Sequence, residues 1–216
     1  TIERIIKDGN RFVLGVEYSG AVPSYKFYDP DVDAAVSGMV NQFSTASVNL
    51  VSWTDDWSKL LYLIYGSDTP GSYVLQDRET GQMMLVADER DNIPPDAIGQ
   101  MVSVNYKARD GLNIPSILTW PAGVDIETAS KLPLVVMPHG GPESYDAVGF
   151  DWMAQYFANR GYLVLQPNFR GSSGYGTEHR ILGKGEWGGK MQDDITDGVQ
   201  TLVERGLADP TRVCIV

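Results

Sequence analysis

The residues best suited to chemistry are His139, Gly140, Gly141 and Pro142, which directly follow the apolar run LPLVVMP. Two consecutive glycines allow the backbone to bend sharply and to turn its N–H groups towards one point. Converging N–H groups can stabilise the negative oxygen that forms when an acyl group is attacked. A tight turn between a strand and a helix, which binds nothing, would use the same residues. The four residues alone leave both interpretations open.

A loop of this kind after a buried strand supplies one donor of the oxyanion hole in α/β-hydrolases. His139 is a candidate general base, but a base needs a nucleophile within hydrogen-bond reach. Ser172 and Ser173, in NFRGSSGYG, do not fit the Gly-x-Ser-x-Gly nucleophile motif, because Tyr175 stands where the second glycine is required. We therefore expect His139 to shape its loop and both serines to be loop residues.

The segment GKGEWG, residues 183–188, matches the Gly-x-Gly-x-x-Gly pattern of dinucleotide-binding loops. That pattern needs a strand directly before it, and the preceding residues GYGTEHRIL are polar and rich in glycine. The acidic residues Glu186, Asp193 and Asp194 would also repel a pyrophosphate at the start of the following helix. We therefore expect neither a dinucleotide nor any other cofactor.

The composition excludes several classes of partner. A formal net charge of −11 argues against nucleic acid, which needs basic patches, and against anionic membrane surfaces. No apolar run is long enough to span a bilayer. The single cysteine, Cys214, rules out an internal disulfide or a zinc cluster, and its apolar surroundings predict a buried side chain. We expect a soluble protein, cytoplasmic or periplasmic, without a metal site.

Residues 1–97 predict an all-β region. Four strand-like runs lie between Val48 and Glu89, and turn residues separate them: VNLVSWTDD, KLLYLIYGSD, GSYVLQDRET and GQMMLVADE. Four antiparallel strands of this length match one blade of a β-propeller. A generic antiparallel sheet is the alternative. The shorter runs RFVLGVEY and SYKFYDP indicate further strands upstream.

Residues 98–216 predict an α/β region, in which strands alternate with helices in a mostly parallel sheet. A hairpin is expected around Arg109, Asp110 and Gly111. The predicted elements that follow are a strand over 132–138, a helix with Phe150, Met153, Tyr156 and Phe157 on its buried stripe, a strand over 162–167, a helix over roughly 190–205 and a strand over 212–216.

Five segments together resemble the prolyl oligopeptidase family of serine peptidases, especially its acylaminoacyl-peptidase and dipeptidyl-peptidase-like branch. They are SDTPGSYVLQDRETG, YKARDGLNIPSILTWPAG, VVMPHGGPES, GYLVLQPNFRGSSGYG and GEWGGKMQDDITDGVQTLVERGLADPTRV. The resemblance implies that 1–97 is the C-terminal portion of a β-propeller. It implies that 98–216 is the N-terminal half of an α/β-hydrolase peptidase domain.

The resemblance also implies a function. Such peptidases hydrolyse short peptides through an acyl-enzyme, and the propeller restricts substrate size. The strand RVCIV would lead into the nucleophile elbow, so the Ser, Asp and His of the triad are absent from this chain, and the chain alone is expected to be inactive. Gly141 matches the position whose backbone N–H contributes to the oxyanion hole. Tyr145, Arg170 and Tyr175 lie in loops that approach the active site and are expected to line a substrate pocket.

The sequence leaves two other functions open. A carboxylesterase could share the His-Gly-Gly loop, although such enzymes lack propeller strands, and a non-catalytic interaction module would explain a missing triad. A strand over 212–216 at a truncated sheet edge would expose unpaired backbone groups. We therefore also expect the chain to self-associate through this edge.

Overall fold

The computed structural model describes residues 1–43, 46–66 and 69–216. The elements in this part of the chain, in order, are β1 (Ile2–Lys7), β2 (Val13–Tyr18), β3 (Ser24–Phe27), α1 (Pro30–Gln42), β4 (Ser47–Trp53), β5 (Lys59–Gly66), β6 (Thr69–Asp77), β7 (Met83–Asp88), a 3₁₀ turn (Pro95–Ala97), β8 (Met101–Lys107), β9 (Asn113–Thr119), β10 (Leu132–Val136), α2 (Trp152–Ala158), β11 (Leu163–Pro167), α3 (Thr177–Ile181), α4 (Lys190–Glu204) and β12 (Ala208–Ile215). The strands form three sheets.

The first sheet is the antiparallel meander β1-β2-β3, and the helix α1 follows it. This helix corrects the prediction that 1–97 contains only strands. Asp29 caps its first turn by accepting hydrogen bonds from the backbone N–H groups of the next two non-proline residues. Val32, Val36 and Met39 are buried at helical spacing, which packs one face of α1 into the core.

The second sheet contains the four predicted strands, in the antiparallel order β4-β5-β6-β7. Burial alternates along β5, where Leu60, Tyr62 and Ile64 face a core shared with α1 and the first sheet. Both sheets are open, so the described residues show antiparallel sheets and not a closed propeller. Ser67 and Asp68, which begin the segment SDTPGSYVLQDRETG, lie outside the described residues.

The third sheet has the order β12-β10-β11-β9-β8. As predicted, β12, β10 and β11 run parallel, while the hairpin β8-β9 adds two antiparallel strands at one edge. Successive residues of β10 face opposite sides, because side chains alternate along a strand. Leu134 and Val136 pack in one cluster with Met191 of α4, and Val135 packs in another with Ala154 of α2. Helices therefore cover both faces of the sheet.

The helix α2 differs from its prediction in which side chains it buries. It begins after Asp151, whose carboxylate accepts from two backbone N–H groups of the first turn, so Phe150 precedes the helix. Ala154 and Gln155 are buried, whereas Tyr156 is 48% exposed. The predicted aromatic stripe is therefore only partly correct.

The strand β12 forms an edge of the third sheet and pairs with β10 on its other side. The prediction that Cys214 is buried is wrong, because this edge leaves its side chain exposed. Val213, Ile215 and Val216 are exposed as well. Among the described residues, no helix has both the length and the apolar character needed to cross a membrane.

Candidate functional site

The His-Gly-Gly-Pro loop leaves the sheet at the carboxyl end of β10, between the parallel strands β11 and β12. This edge is where open α/β sheets place their ligands. Gly141 has φ +121°, and a Cβ atom at this position would lie 3.0 Å from the backbone nitrogens of Glu143 and Ser144. Gly140 has no heavy atom within 4 Å of the corresponding point. The loop conformation therefore requires glycine at 141 and not at 140.

Gly141 lines two cavities. One, of about 250 Å³, also contains Arg180 and Lys184 in its lining, and Arg180 pairs with Glu143 at 3.5 Å. The other, of about 380 Å³, is lined by His139 and other residues of the loop. The exposed backbone of Gly141 therefore borders space that a ligand could enter.

His139 lies closer to a serine than the sequence suggested. Its Nε2 is 2.7 Å from Oγ of Ser172, and its ring stacks on Phe169 with centroids 4.7 Å apart. Ser172 is fully buried, and its hydroxyl donates to the carbonyl of Phe169 at 2.7 Å. Nδ1 of His139 lies 3.0 Å from the carbonyl of Gly140, so the ring bridges this carbonyl and the Ser172 hydroxyl. Burial lowers the pKa of His139. This arrangement fixes the loop to the segment after β11, and the burial of Ser172 keeps its hydroxyl out of reach of a substrate.

Two of the predicted substrate contacts, Tyr145 and Tyr175, lie together, with ring centroids 6.2 Å apart and planes at 88°. The Tyr175 hydroxyl accepts from Nδ2 of Asn168 at 3.1 Å and donates to the carbonyl of Asp146 at 3.3 Å. Burial raises the pKa of both tyrosines to about 12. Tyr145 lines a cavity of about 220 Å³ together with Glu3. Of the two rings, that of Tyr145 is therefore better placed to meet a ligand.

Arg170, the third predicted substrate contact, is buried in an ion-pair network. Its Nε and Nη2 donate to Asp194 at 2.8 and 2.7 Å, and its Nη1 and Nη2 donate to Asp110 at 2.8 and 3.0 Å. These contacts raise the pKa of Arg170 and lower that of Asp110 to about 2. A direct contact with substrate would require these bonds to break. The geometry therefore gives Arg170 a structural role, and a substrate contact from its guanidinium stays a prediction.

Asn168 and Asp146 are part of this site, although the sequence analysis missed them. Asn168 is fully buried; its Oδ1 accepts from the backbone N–H of Asp146 at 2.7 Å, and its Nδ2 donates to the carbonyl of Asp146 at 2.9 Å. Burial and the charge of Asp151 raise the pKa of Asp146 to about 6. The position of Asn168, a polar residue directly after a buried strand, was a signal for it.

The loop that begins at His139 also contacts the β-rich half of the chain. The backbone N–H of Val148 donates to the carbonyl of Ala21 at 2.7 Å, and the Ser47 hydroxyl donates to the carbonyl of Val148. Ser19 donates to the carbonyl of Gly174 at 3.0 Å, in the neighbouring loop. The loop after β10 and the loop after β11 are therefore both hydrogen-bonded to the β-rich half of the chain.

Comparison with known proteins identifies the family. Residues 148–216 match the profile described as the prolyl oligopeptidase family. The chain is 32% identical over 196 residues to dipeptidyl peptidase family member 6 of Caenorhabditis elegans. The aligned region covers 82% of this chain and 26% of that protein. The chain belongs to the prolyl oligopeptidase family.

Two further similar proteins support this assignment. Dipeptidyl aminopeptidase BIII of Pseudoxanthomonas mexicana is 32% identical over 196 residues, which cover 89% of this chain and 28% of that protein. The crystal structure of puromycin hydrolase superposes with a TM-score of 0.62 at 26% identity, over 78% of this chain and 25% of that one. The chain thus spans about a quarter of the length of the relatives that it matches.

Proposed function

We propose that this chain supplies the oxyanion-hole loop of a serine peptidase, with the backbone N–H of Gly141 as one of the two donors. The observation that carries the proposal is the exposed Gly141 at the carboxyl end of β10, in a backbone conformation that residues with a side chain rarely adopt. The relatives named as dipeptidyl peptidases support peptide bonds as the substrate. No cofactor enters this chemistry.

In the proposed reaction, a serine hydroxyl passes its proton to the histidine of the triad and attacks the carbonyl carbon of a peptide bond, whose oxygen becomes negatively charged. The Gly141 N–H donates to this oxygen and stabilises the tetrahedral state more than the ground state. Collapse of this state expels the amine, which takes the proton from the histidine, and leaves an acyl-enzyme that water then hydrolyses. We propose that the serine, aspartate and histidine of the triad, and the second donor, come from parts of the protein that this chain does not span.

We further propose that the two open antiparallel sheets of residues 1–97 belong to a β-propeller that restricts substrates to short peptides. Their contact with the loop, through Val148 and Ser47, supports a place for these sheets next to the active site. Tyr145 lies in the same region and is proposed to form part of the substrate-binding wall. These sheets and the names of the relatives favour a peptidase over the carboxylesterase and over a non-catalytic module.

Self-association through β12 is proposed as well. This strand is an edge with Val213, Ile215 and Val216 exposed, and an uncovered apolar edge tends to pair with another chain.

Substitution of the two glycines in the full-length protein tests the oxyanion role. Gly141→Val should reduce kcat for a dipeptidyl-p-nitroanilide by about 100- to 1000-fold with little change in KM, since loss of one donor typically has this effect. Gly140→Ala is the control at the neighbouring glycine and should retain near-normal turnover, because its Cβ meets no atom within 4 Å. Equal activity of the two variants would refute the role of Gly141. Hydrolysis of p-nitrophenyl esters without hydrolysis of anilides would favour the carboxylesterase.

A further inference from the structure

A cavity of about 320 Å³ lies between the segment that follows β7 and the helix α2. Its lining combines the aromatic residues Phe150, Trp152 and Tyr156 with the arginines Arg90 and Arg160. None of these five residues takes part in the His-Gly-Gly-Pro loop or its hydrogen bonds described above. The cavity is therefore a separate feature of the fold.

The aromatic walls of this cavity are open to ligand. Trp152 is 66% exposed and Tyr156 is 48% exposed, and these are large rings to leave in water. The guanidinium of Arg160 lies 3.6 Å from the centroid of the Tyr156 ring, and that of Arg90 lies 4.6 Å from the centroid of Phe150. Stacking of this kind orients a guanidinium while its N–H edge stays free to donate.

The two arginines differ in how their charge is balanced. Nη1 of Arg90 donates to Glu89 and to the carbonyl of Pro70, both at 2.7 Å. Arg160 donates to the carbonyl of Tyr156 at 3.0 Å, and no described carboxylate lies within 4.0 Å of its guanidinium nitrogens. A guanidinium without an acidic neighbour can form a charge-assisted hydrogen bond with a carboxylate, and this local attraction must exceed the repulsion from the net charge of −11.

The cavity is also held in shape by polar side chains of α2. The buried Gln155 accepts from the N–H of Gly99 at 2.7 Å and donates to its carbonyl at 3.1 Å. Nδ2 of Asn159, just after the helix, donates to the carbonyl of Ala97 at 3.1 Å. These bonds join the helix to the segment opposite. A preformed site of this kind loses little entropy when it binds a ligand.

We propose that this cavity binds a small aromatic carboxylate, with the ring against Trp152 and Tyr156 and the carboxylate at Arg160. The volume suits one or two fused rings, and few charged groups in an apolar lining are typical of small-molecule sites. The site lies where the β-rich half, through Pro70 and Arg90, meets the α/β half. It does not depend on the peptidase function proposed above.

Isothermal titration calorimetry of the full chain with 2-naphthoate, and with the uncharged 2-naphthamide, tests the site. The naphthoate should bind with a Kd below about 1 mM, and the amide at least about tenfold more weakly, because only the carboxylate can form the charge-assisted bond. Arg160→Gln should weaken naphthoate binding by about tenfold or more. Arg205→Gln makes the same change at an exposed position outside the cavity and should leave the Kd unchanged.

Trp152→Ala tests whether the ligand ring packs against Trp152. It should weaken the binding of 2-naphthoate and of 2-naphthamide by similar factors. Arg160 and Trp152 are exposed, so thermal melts of the variants should match that of the unmodified chain. Absence of naphthoate binding, equal affinity for the acid and the amide, or an Arg160→Gln variant with unchanged affinity would each overturn the proposal.

Discussion

Replacement of Arg170 by methionine should strongly destabilise the fold. The Arg170 side chain is 5% exposed, and that of its partner Asp194 is 0% exposed. Methionine keeps the length of the aliphatic stem but removes every guanidinium donor. Of the donors to the Asp194 carboxylate in the part of the chain that the structure describes, only the backbone N–H of residue 170 would then remain.

The size of the effect follows from the burial of that carboxylate. Removing one partner of a buried ion pair typically costs about 3–5 kcal/mol, because the other charge stays buried without compensation. Asp110 is 38% exposed, so water can solvate it once Arg170 is gone, and it adds little. In a domain of this size each kcal/mol lowers the unfolding midpoint by about 2–4 °C, which gives a decrease of about 6–20 °C.

Urea and thermal denaturation followed by circular dichroism would measure this change. Arg180→Met is the matched control, because its pair with Glu143 is long and solvent-exposed; it should cost less than about 1 kcal/mol. Adding Asp194→Asn to Arg170→Met should recover part of the loss, because it removes the uncompensated charge. Equal losses in the two single variants, or no recovery in the double variant, would refute this reasoning.

Three other outcomes are expected. Since burial raises the pKa of Asp146 from near 3.8 to about 6, its ionisation destabilises the fold as pH rises through that interval. Asp146→Asn should therefore be more stable than the unmodified chain at pH 7, by at most about 3 kcal/mol in chemical denaturation, but no more stable below pH 4. An equal difference in stability at both pH values would contradict this. The chain alone should not react with a fluorophosphonate probe, because Ser172 is fully buried, and covalent labelling seen by mass spectrometry would disprove it. Light scattering should detect self-association, whereas a monomer mass at high micromolar concentration would argue against pairing through β12.

The sequence predicted best the elements that are buried on both faces. The strands β10 and β11 appear as continuous apolar runs, and the helix α4 shows a clear stripe with Ile195 and Leu202 buried. The helix α1 was not predicted, because it lies between segments with a strand pattern. Its capping residue Asp29 and the helical spacing of its buried apolar residues were signals for it.

Pairings between distant residues were beyond the reach of the sequence. Arg170 and Asp194 are 24 positions apart, and no local pattern indicates that the guanidinium turns inward to this carboxylate. The contact between His139 and Ser172 likewise depends on two loops at neighbouring strand ends. The oxyanion loop itself was recognisable because its glycines are a local backbone requirement, and Gly141 has the positive φ that such a bend needs.

The attachment of Val148 to Ala21 and Ser47 has a consequence for motion. Ser47 and Val148 are 101 positions apart, so the loop that starts at His139 is anchored at its far end by another part of the chain. For the backbone around Gly141 to fluctuate widely, these hydrogen bonds between the halves must open first. Amide hydrogen exchange near Gly141 should then follow the slow, larger-scale opening of the two halves and not the fast fraying usual in surface loops. How long the donor N–H stays in place is thus set partly by a strand in the first hundred residues.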